Sequence, residues 1–310
     1  MKEMIVHPAE ISKKWIDRLV QNHIDVLGIH PVGGVKAAES LEELVKRAKT
    51  EEYRSLIDYA MDSGLKIQYE FHAAGYLMPK SLFADHPEYF RMNEKGERSC
   101  DFNFCVSNEE ALSVFAKNAA ELALALYGSD HEFYFWMDDG RGLQCHCPKC
   151  QALSASDQQL IAVNAMQREI RKYIPDAKVV YLAYVDTVIP PQKVKPELGV
   201  FLEYAPFEKY TATGEDAPKL IEREWNMIRP LLNYFGEENA KVLEYWYDNS
   251  MFSGWKKPPK KFTLKENEMR EDIKRYREIG FKNIATFACY LGEDYEELYG
   301  EVDAGAFGRM

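Results

Sequence analysis

Short apolar runs rich in β-branched and aromatic residues recur along the chain, and longer segments with apolar residues at helical spacing separate most of them. Eight runs read as strands: Asp25–Pro31, Leu65–Ala73, Asp101–Val106, Glu132–Asp138, Lys178–Val185, Gly199–Ala205, Val242–Asp248 and Asn283–Tyr290. Helical patterns fall at Ala9–Asn22, ahead of the first strand, and at Leu41–Met61, Asn108–Leu126, Asp157–Tyr173, Ala217–Phe235 and Leu264–Ile279. Alternating strands and helices imply a parallel sheet. Eight strands in 310 residues predict a (β/α)8 TIM barrel, taken as a single domain over residues 1–310. An open doubly wound sheet is the alternative. It fits less well, because Gly33-Gly34 is the only glycine feature after the first strand and makes no phosphate-binding turn. Two connections break the rhythm. A long segment with little helical period, between Ala73 and Asp101, is expected to form a rim loop. The Val185–Gly199 connection carries Pro190, Pro191 and Pro196 and is too irregular for a full helix.

Side chains alternate across a strand, so residues two apart share a face. The second predicted strand places Gln68, Glu70 and His72 together. The seventh places Val242, Glu244, Trp246 and Asp248 together. His30 follows Gly28 on the first, and the fifth, sixth and eighth end near Tyr184, Glu203 and Tyr290. A parallel barrel strand is buried on both faces, where a charge is costly unless it is paired or reaches the open end. These groups cluster toward the C-terminal halves of their strands, the end where barrel active sites form. The plainer alternative is that each carboxylate ends a strand against water or a helix dipole. Aromatic residues fall at the same ends, among them Tyr69, Tyr184, Tyr245, Trp246 and Tyr290. Beside carboxylates they favour a carbohydrate over a phosphorylated ligand, since no cluster of basic or glycine-rich phosphate donors accompanies them.

The segment Phe133–Cys150, FYFWMDDGRGLQCHCPKC, carries the densest chemistry. An apolar run ends in Asp138 and Asp139, a glycine turn follows, and then come Cys145, Cys147 and Cys150. Three of the six cysteines thus lie within six residues. In a reducing compartment that spacing reads as metal binding, with structural Zn2+ the expected ion. Cys105 is the first choice for a fourth ligand, ahead of His146 and Cys100. An iron–sulfur radical barrel would space its thiols differently and after the first strand. The formal net charge of −11 argues against a nucleic-acid partner. There is no apolar run long enough for a membrane span, and the N-terminal MKEMIVHPAEISKKW lacks a signal-peptide core, so a cytoplasmic location is expected.

Several of these residues also form a recognisable set. The run His86-Pro87-Glu88-Tyr89-Phe90, the turn Gly96-Glu97-Arg98, Cys105-x-Ser107-Asn108 opening a helix, Asp139-Gly140, the three clustered thiols, Asn164, Pro175-Asp176 and Leu182-Ala183-Tyr184 together resemble a bacterial family of glycoside-hydrolase-like barrels. The resemblance spans Leu77 to Pro191. It implies a (β/α)8 barrel distantly similar to α-glucuronidases and β-hexosaminidases, with an acid after the fourth strand. The chain departs from that pattern in two ways. Asp138 stands where Asn is usual before Asp-Gly, and the sequence ends soon after the barrel, which suggests a small or cytoplasmic substrate.

The expectation is a glycoside hydrolase with paired carboxyls. Asp139, or Asp138, is the acid, and Glu244 is its first partner, with Glu203 and Asp248 next. Burial among Trp136, Trp246 and Tyr245 would raise the acid's pKa. His30, Glu70, His72, Tyr184, Tyr245, Trp246, Asp248 and Tyr290 are expected to hold the sugar. The rival readings are a carbohydrate-binding barrel without turnover and a metal-dependent hydrolase. Carbohydrate is the expected partner, with no nucleic acid or membrane; the sequence sets no oligomeric state.

Overall fold

The computed structural model describes residues 1–310. Eight parallel strands close in sequence order into a barrel with helices outside: β1 Lys2–Val6, β2 Val26–Ile29, β3 Lys66–His72, β4 Ser129–Trp136, β5 Lys178–Ala183, β6 Val200–Tyr204, β7 Lys241–Glu244 and β8 Asn283–Phe287, which pairs back onto β1. The expected (β/α)8 barrel is the observed fold. No helix is long and apolar enough to cross a membrane.

One strand of the expected eight is wrong and another replaces it. Asp101–Val106 is an irregular loop whose only ladder contact is an antiparallel bridge between Phe104 and Phe90. Its apolar residues are buried for another reason: Phe104 stacks on Phe115 of the helix Glu109–Ala125, with ring centroids 4.3 Å apart, and the neighbouring Cys105 turns toward the other thiols. The true first strand is Lys2–Val6, whose last three residues, Met4–Val6, are its only apolar run. The expected helix Leu41–Met61 is two helices, Ala37–Arg47 and Glu51–Asp62. Thr50 caps the second, its Oγ1 accepting from Tyr53 N at 3.3 Å.

The sheet separates two apolar layers. Outward residues such as Val242, Phe135 and Tyr181 join the helices. Inward residues, including Tyr134, Trp136, Leu182, Phe201, Leu243 and Phe287, fill the lumen. Beneath that plug lies a buried charged layer. Lys241 Nζ is 2.7 Å from Glu3 Oε2 and 3.4 Å from Glu203 Oε1, contacts Glu70 Oε1, and lies over the Tyr134 ring at 3.6 Å. Gly28 makes room for this layer: a Cβ there would sit 2.5 Å from both Glu3 Oε1 and Ile5 Cγ1.

Candidate active site

A cavity of about 550 Å³ opens at the C-terminal end of the barrel. Its first side is built from three histidines on successive strands: His7 follows β1, His30 follows β2 and His72 ends β3. Each imidazole spends its Nδ1–H on a backbone carbonyl of the next strand along. His7 donates to His30 O at 2.7 Å, His30 to Glu70 O at 2.6 Å and His72 to Met137 O at 2.6 Å. That pattern sets the tautomer and leaves each Nε2 as an acceptor. Burial, with His7 and His72 nearby, pushes the His30 pKa down to about 3, so its neutral form prevails.

The remaining wall is aromatic and acidic. Trp136 forms part of the floor, and its Nε1–H donates to Glu203 Oε2 at 2.8 Å. Asp139, in the turn after β4, is exposed and accepts the Tyr184 hydroxyl at 2.9 Å. The Asp139 turn is tied down by Arg141, which pairs with Glu208, and by Gly142 N–H, which donates to Asp186 at 2.6 Å. Asp248, after β7, is 7% exposed. Its Oδ1 accepts from Ser250 N at 2.9 Å, Ser250 Oγ at 2.5 Å and Met251 N at 3.2 Å, capping the short helix Asn249–Phe252. Burial raises the Asp248 pKa in spite of those donors. Glu10 ties the ends of β1 and β8 together, accepting from Tyr290 N at 2.7 Å and His7 N at 3.0 Å.

Of the residues singled out above, the cavity collects Asp139, His30, His72, Tyr184, Tyr245, Asp248 and Tyr290. Five others lie elsewhere. Glu244 points outward into the helix layer, where it is fully buried and accepts from Lys209 Nζ at 3.0 Å, Tyr276 Oη at 2.7 Å and the Tyr210 hydroxyl. Trp246 points the same way, its Nε1–H 3.1 Å from Asp272 Oδ2. Neither faces the cavity, because β7 and the residues just after it present Lys241, Leu243 and Tyr245 to the lumen and the alternate residues to the helices. Glu70 and Glu203 do face inward but lie below the cavity floor, both fully buried around Lys241. Asp138 turns from the cavity into a smaller adjoining cleft, where its Oδ2 accepts from Asn103 N at 2.5 Å. The cavity also includes His7, Phe207 and Trp255, which the sequence reading did not single out. The signal for His7 was present: it continues the inward parity of Glu3 and Ile5, but on a strand that had not been recognised.

The cysteines form a separate centre. The sulfurs of Cys105, Cys145, Cys147 and Cys150 all lie within 4.8 Å of one another and all four residues are buried. Cys105 Sγ is 3.6 Å from Cys147 Sγ and 3.9 Å from Cys150 Sγ. A tetrahedral ion with Zn–S bonds of ~2.3 Å would need sulfur separations of about 3.8 Å. Met92 N–H points at Cys145 Sγ at 3.3 Å and Ser107 Oγ lies 3.1 Å from Cys150 Sγ, giving two of the sulfurs polar neighbours. The four residues therefore suit a closed, all-sulfur metal shell with no position left for substrate or water.

Several solved glycoside hydrolases share the architecture. A cold-adapted β-galactosidase from Rahnella sp. R3 superposes with a TM-score of 0.56 at 10% identity, over 93% of this chain and 50% of that one. Endo-glycoceramidase II from Rhodococcus sp. gives 0.53 at 10% identity, over 93% and 72%. A broad-specificity GH5-4 endoglucanase from Bacteroides salanitronis gives 0.51 at 11% identity, over 97% and 82%. The chain thus spans half the length of the β-galactosidase, and at these identities the likeness speaks for the barrel alone. Among curated proteins, none matches the sequence. A family model does match, over residues 43–225, and its span encloses the Leu77–Pro191 stretch, the cysteine centre and Asp139; with more than half of its length matched, the chain belongs to the DUF4838 family, a domain of unknown function.

Proposed function

We propose that this barrel hydrolyses a glycosidic bond in the C-terminal cavity, with Asp248 as proton donor and Asp139 as the ionised carboxylate. The observation that carries the reading is that one cavity holds two carboxyls in opposed environments. Asp248 is buried and its pKa is raised, whereas Asp139 is exposed to water and bound by a phenol. A buried carboxyl and a water-exposed one facing a single cavity are what acid-assisted cleavage of a glycoside needs. Trp136, Tyr184, Phe207 and Tyr245 supply apolar surface for sugar CH faces, and the histidines supply acceptors for hydroxyls.

The four-thiol centre fits one structural Zn2+ in this reading. It would pin the rim loop through Cys105 to the segment after β4 that carries Asp139, and it holds no group in the cavity. The ion would supply rigidity there, leaving proton transfer to the two aspartates.

The test is turnover of a panel of aryl glycosides by the wild type, D139N and D248N. Asn keeps the size of each side chain and can still cap the helix after position 248. Each substitution should lower kcat by about 10²–10⁴-fold, the usual contribution of an acid or base, with the circular dichroism spectrum and melting temperature unchanged. Unchanged turnover in either variant would remove that residue from the mechanism. A wild type that binds sugar and cleaves none would make the barrel a carbohydrate-binding module.

A further inference from the structure

We infer that the cavity takes an uncharged glycosyl unit, bound through its hydroxyl donors, and rejects uronate and phosphorylated sugars. The inference rests on the carbohydrate reading above and adds the class of sugar. It follows from the acceptors, neutral donors and charges that line the cavity.

Six of the donors are spent on the protein itself. The three Nδ1–H groups go to backbone carbonyls, the Trp136 indole N–H to Glu203, the Tyr184 hydroxyl to Asp139 and the Ser250 hydroxyl to Asp248. Beside the Tyr245 and Tyr290 hydroxyls and the Trp255 indole N–H, which are neutral donors, the cavity presents acceptors: three imidazole Nε2 atoms and the uncommitted lone pairs of Asp139. Gly33 preserves access to one of them. A Cβ at Gly33 would stand 3.6 Å from His30 Nε2 and 3.7 Å from His72 Cδ2. The histidine nitrogens do not converge on an ion, since the four cysteines are the one set of three or more ligating groups whose donor atoms lie within 4.8 Å.

Positive charge is scarce. The cavity lining includes no arginine and one ammonium, Lys36, on an exposed turn at the rim. Two further cations are held in ion pairs: Arg141 with Glu208, and Lys257, which lies over the Tyr290 ring at 4.9 Å, with Asp294 at 2.5 Å. A carboxylate or phosphate is recognised by arginine, lysine or clustered N–H donors. Here it would face the three Nε2 acceptors and Asp139, with one rim ammonium as the only positive charge in the lining. A sugar hydroxyl arrives as a donor, which is what each of those acceptors lacks.

Matched pairs test this: 4-nitrophenyl glucoside against glucuronide, and galactoside against galacturonide, in both anomers. Alongside them, calorimetry measures binding of glucose, galactose, glucuronate and glucose 6-phosphate to wild type and D139N. The neutral member of a pair should be preferred by at least about 100-fold in kcat/KM or Kd, because a site built around a substrate hydroxyl discriminates strongly against an analogue that cannot pair with it. Gly33→Ala, at an unstrained backbone position, should weaken the neutral sugar about tenfold without lowering the melting temperature, through crowding of His30 Nε2. Equal or tighter use of a uronide or a phosphosugar would overturn this inference and leave the hydrolase standing. Binding of neutral sugar with no cleavage would support the inference and overturn the hydrolase. No binding of any sugar would overturn both.

Discussion

The buried layer around Lys241 ties the stability of the fold to pH. Lys241 is 3% exposed and is the one cation among Glu3, Glu70 and Glu203, each nearly or fully buried. Burial pushes the Glu70 pKa up to about 8 and the Glu203 pKa up to about 7, with Lys241 opposing the rise in both cases. Folded-state values above the ordinary 4.5 mean that these acids bind protons more tightly in the folded chain than in the unfolded one. Their contribution to stability is therefore complete below about pH 4.5, and is lost as pH rises to about 7 for Glu203 and about 8 for Glu70. Each proton held only by the folded state costs about 1.4 kcal/mol per pH unit within that window. Lys241→Met keeps the stem and the contact with the Tyr134 ring but removes the charge. The acids must then stay protonated to higher pH, and the loss continues where the wild-type curve levels off. At pH 8.5 the variant should be less stable by about 3–5 kcal/mol, the usual cost of stripping one partner from a buried ion cluster. At pH 5, where neutral acids need no counter-ion, the difference should fall below about 1.5 kcal/mol. Urea denaturation followed by far-UV circular dichroism at both pH values measures it, with an unchanged m value confirming that the same surface unfolds. Adding Glu70→Gln to the variant should recover part of the loss at pH 8.5 alone. An equal loss at the two pH values, or less than about 1 kcal/mol at pH 8.5, would refute the electrostatic account.

Other perturbations reach different parts of the molecule. Protein purified under reducing conditions should carry one zinc per chain by elemental analysis, and Cys147→Ser should lose that metal and melt several degrees lower; a metal-free wild type with the same melting point would reject the zinc centre. Gly28→Ala should cost about 1–3 kcal/mol in the same urea assay, because the new methyl meets Glu3 Oε1 and the Ile5 side chain at 2.5 Å with Ile5 Cα close behind at 3.1 Å; unchanged stability would mean that the charged layer can shift to accept it.

The sequence carried the barrel because seven of its strands are internal runs bounded by turn residues, most of them separated by amphipathic helices. It failed at the two places where burial and pairing come apart. Met4–Val6 is only three apolar residues long, too short a run to register as a strand, yet it closes the barrel between β2 and β8. Asp101–Val106 alternates like a strand, but its apolar residues pack down from a loop. The cysteine centre was readable from spacing, since three thiols within six residues have few other uses. Cys105 is their fourth partner, though not from the end of a neighbouring strand. It joins them instead through the rim loop, held by the Phe90–Phe104 bridge and by Cys105 N–H donating to Tyr89 O at 2.8 Å.

Parity arguments locate a face only while the strand lasts, and they say nothing of depth. Spacing put Glu244 and Asp248 on one side, but β7 ends at Glu244. Beyond it the chain turns, with Asp248 N–H donating to Tyr245 O at 3.1 Å, and enters a helix that Asp248 caps. Counting by twos across that turn assigns the outward Glu244 and the cavity's Asp248 to the same surface, although they lie on opposite sides of the sheet. On β3 the face was right and the depth was missing. Glu70 and His72 both point inward, about 6.6 Å apart along the strand. That is enough to leave the carboxylate beneath Trp136 with Lys241 and to bring the imidazole into the cavity. A carboxylate on the inner face of a barrel strand is thus a candidate for catalysis only if it lies above the last layer of packed side chains. In this chain Trp136, hydrogen-bonded from below by Glu203, marks that level.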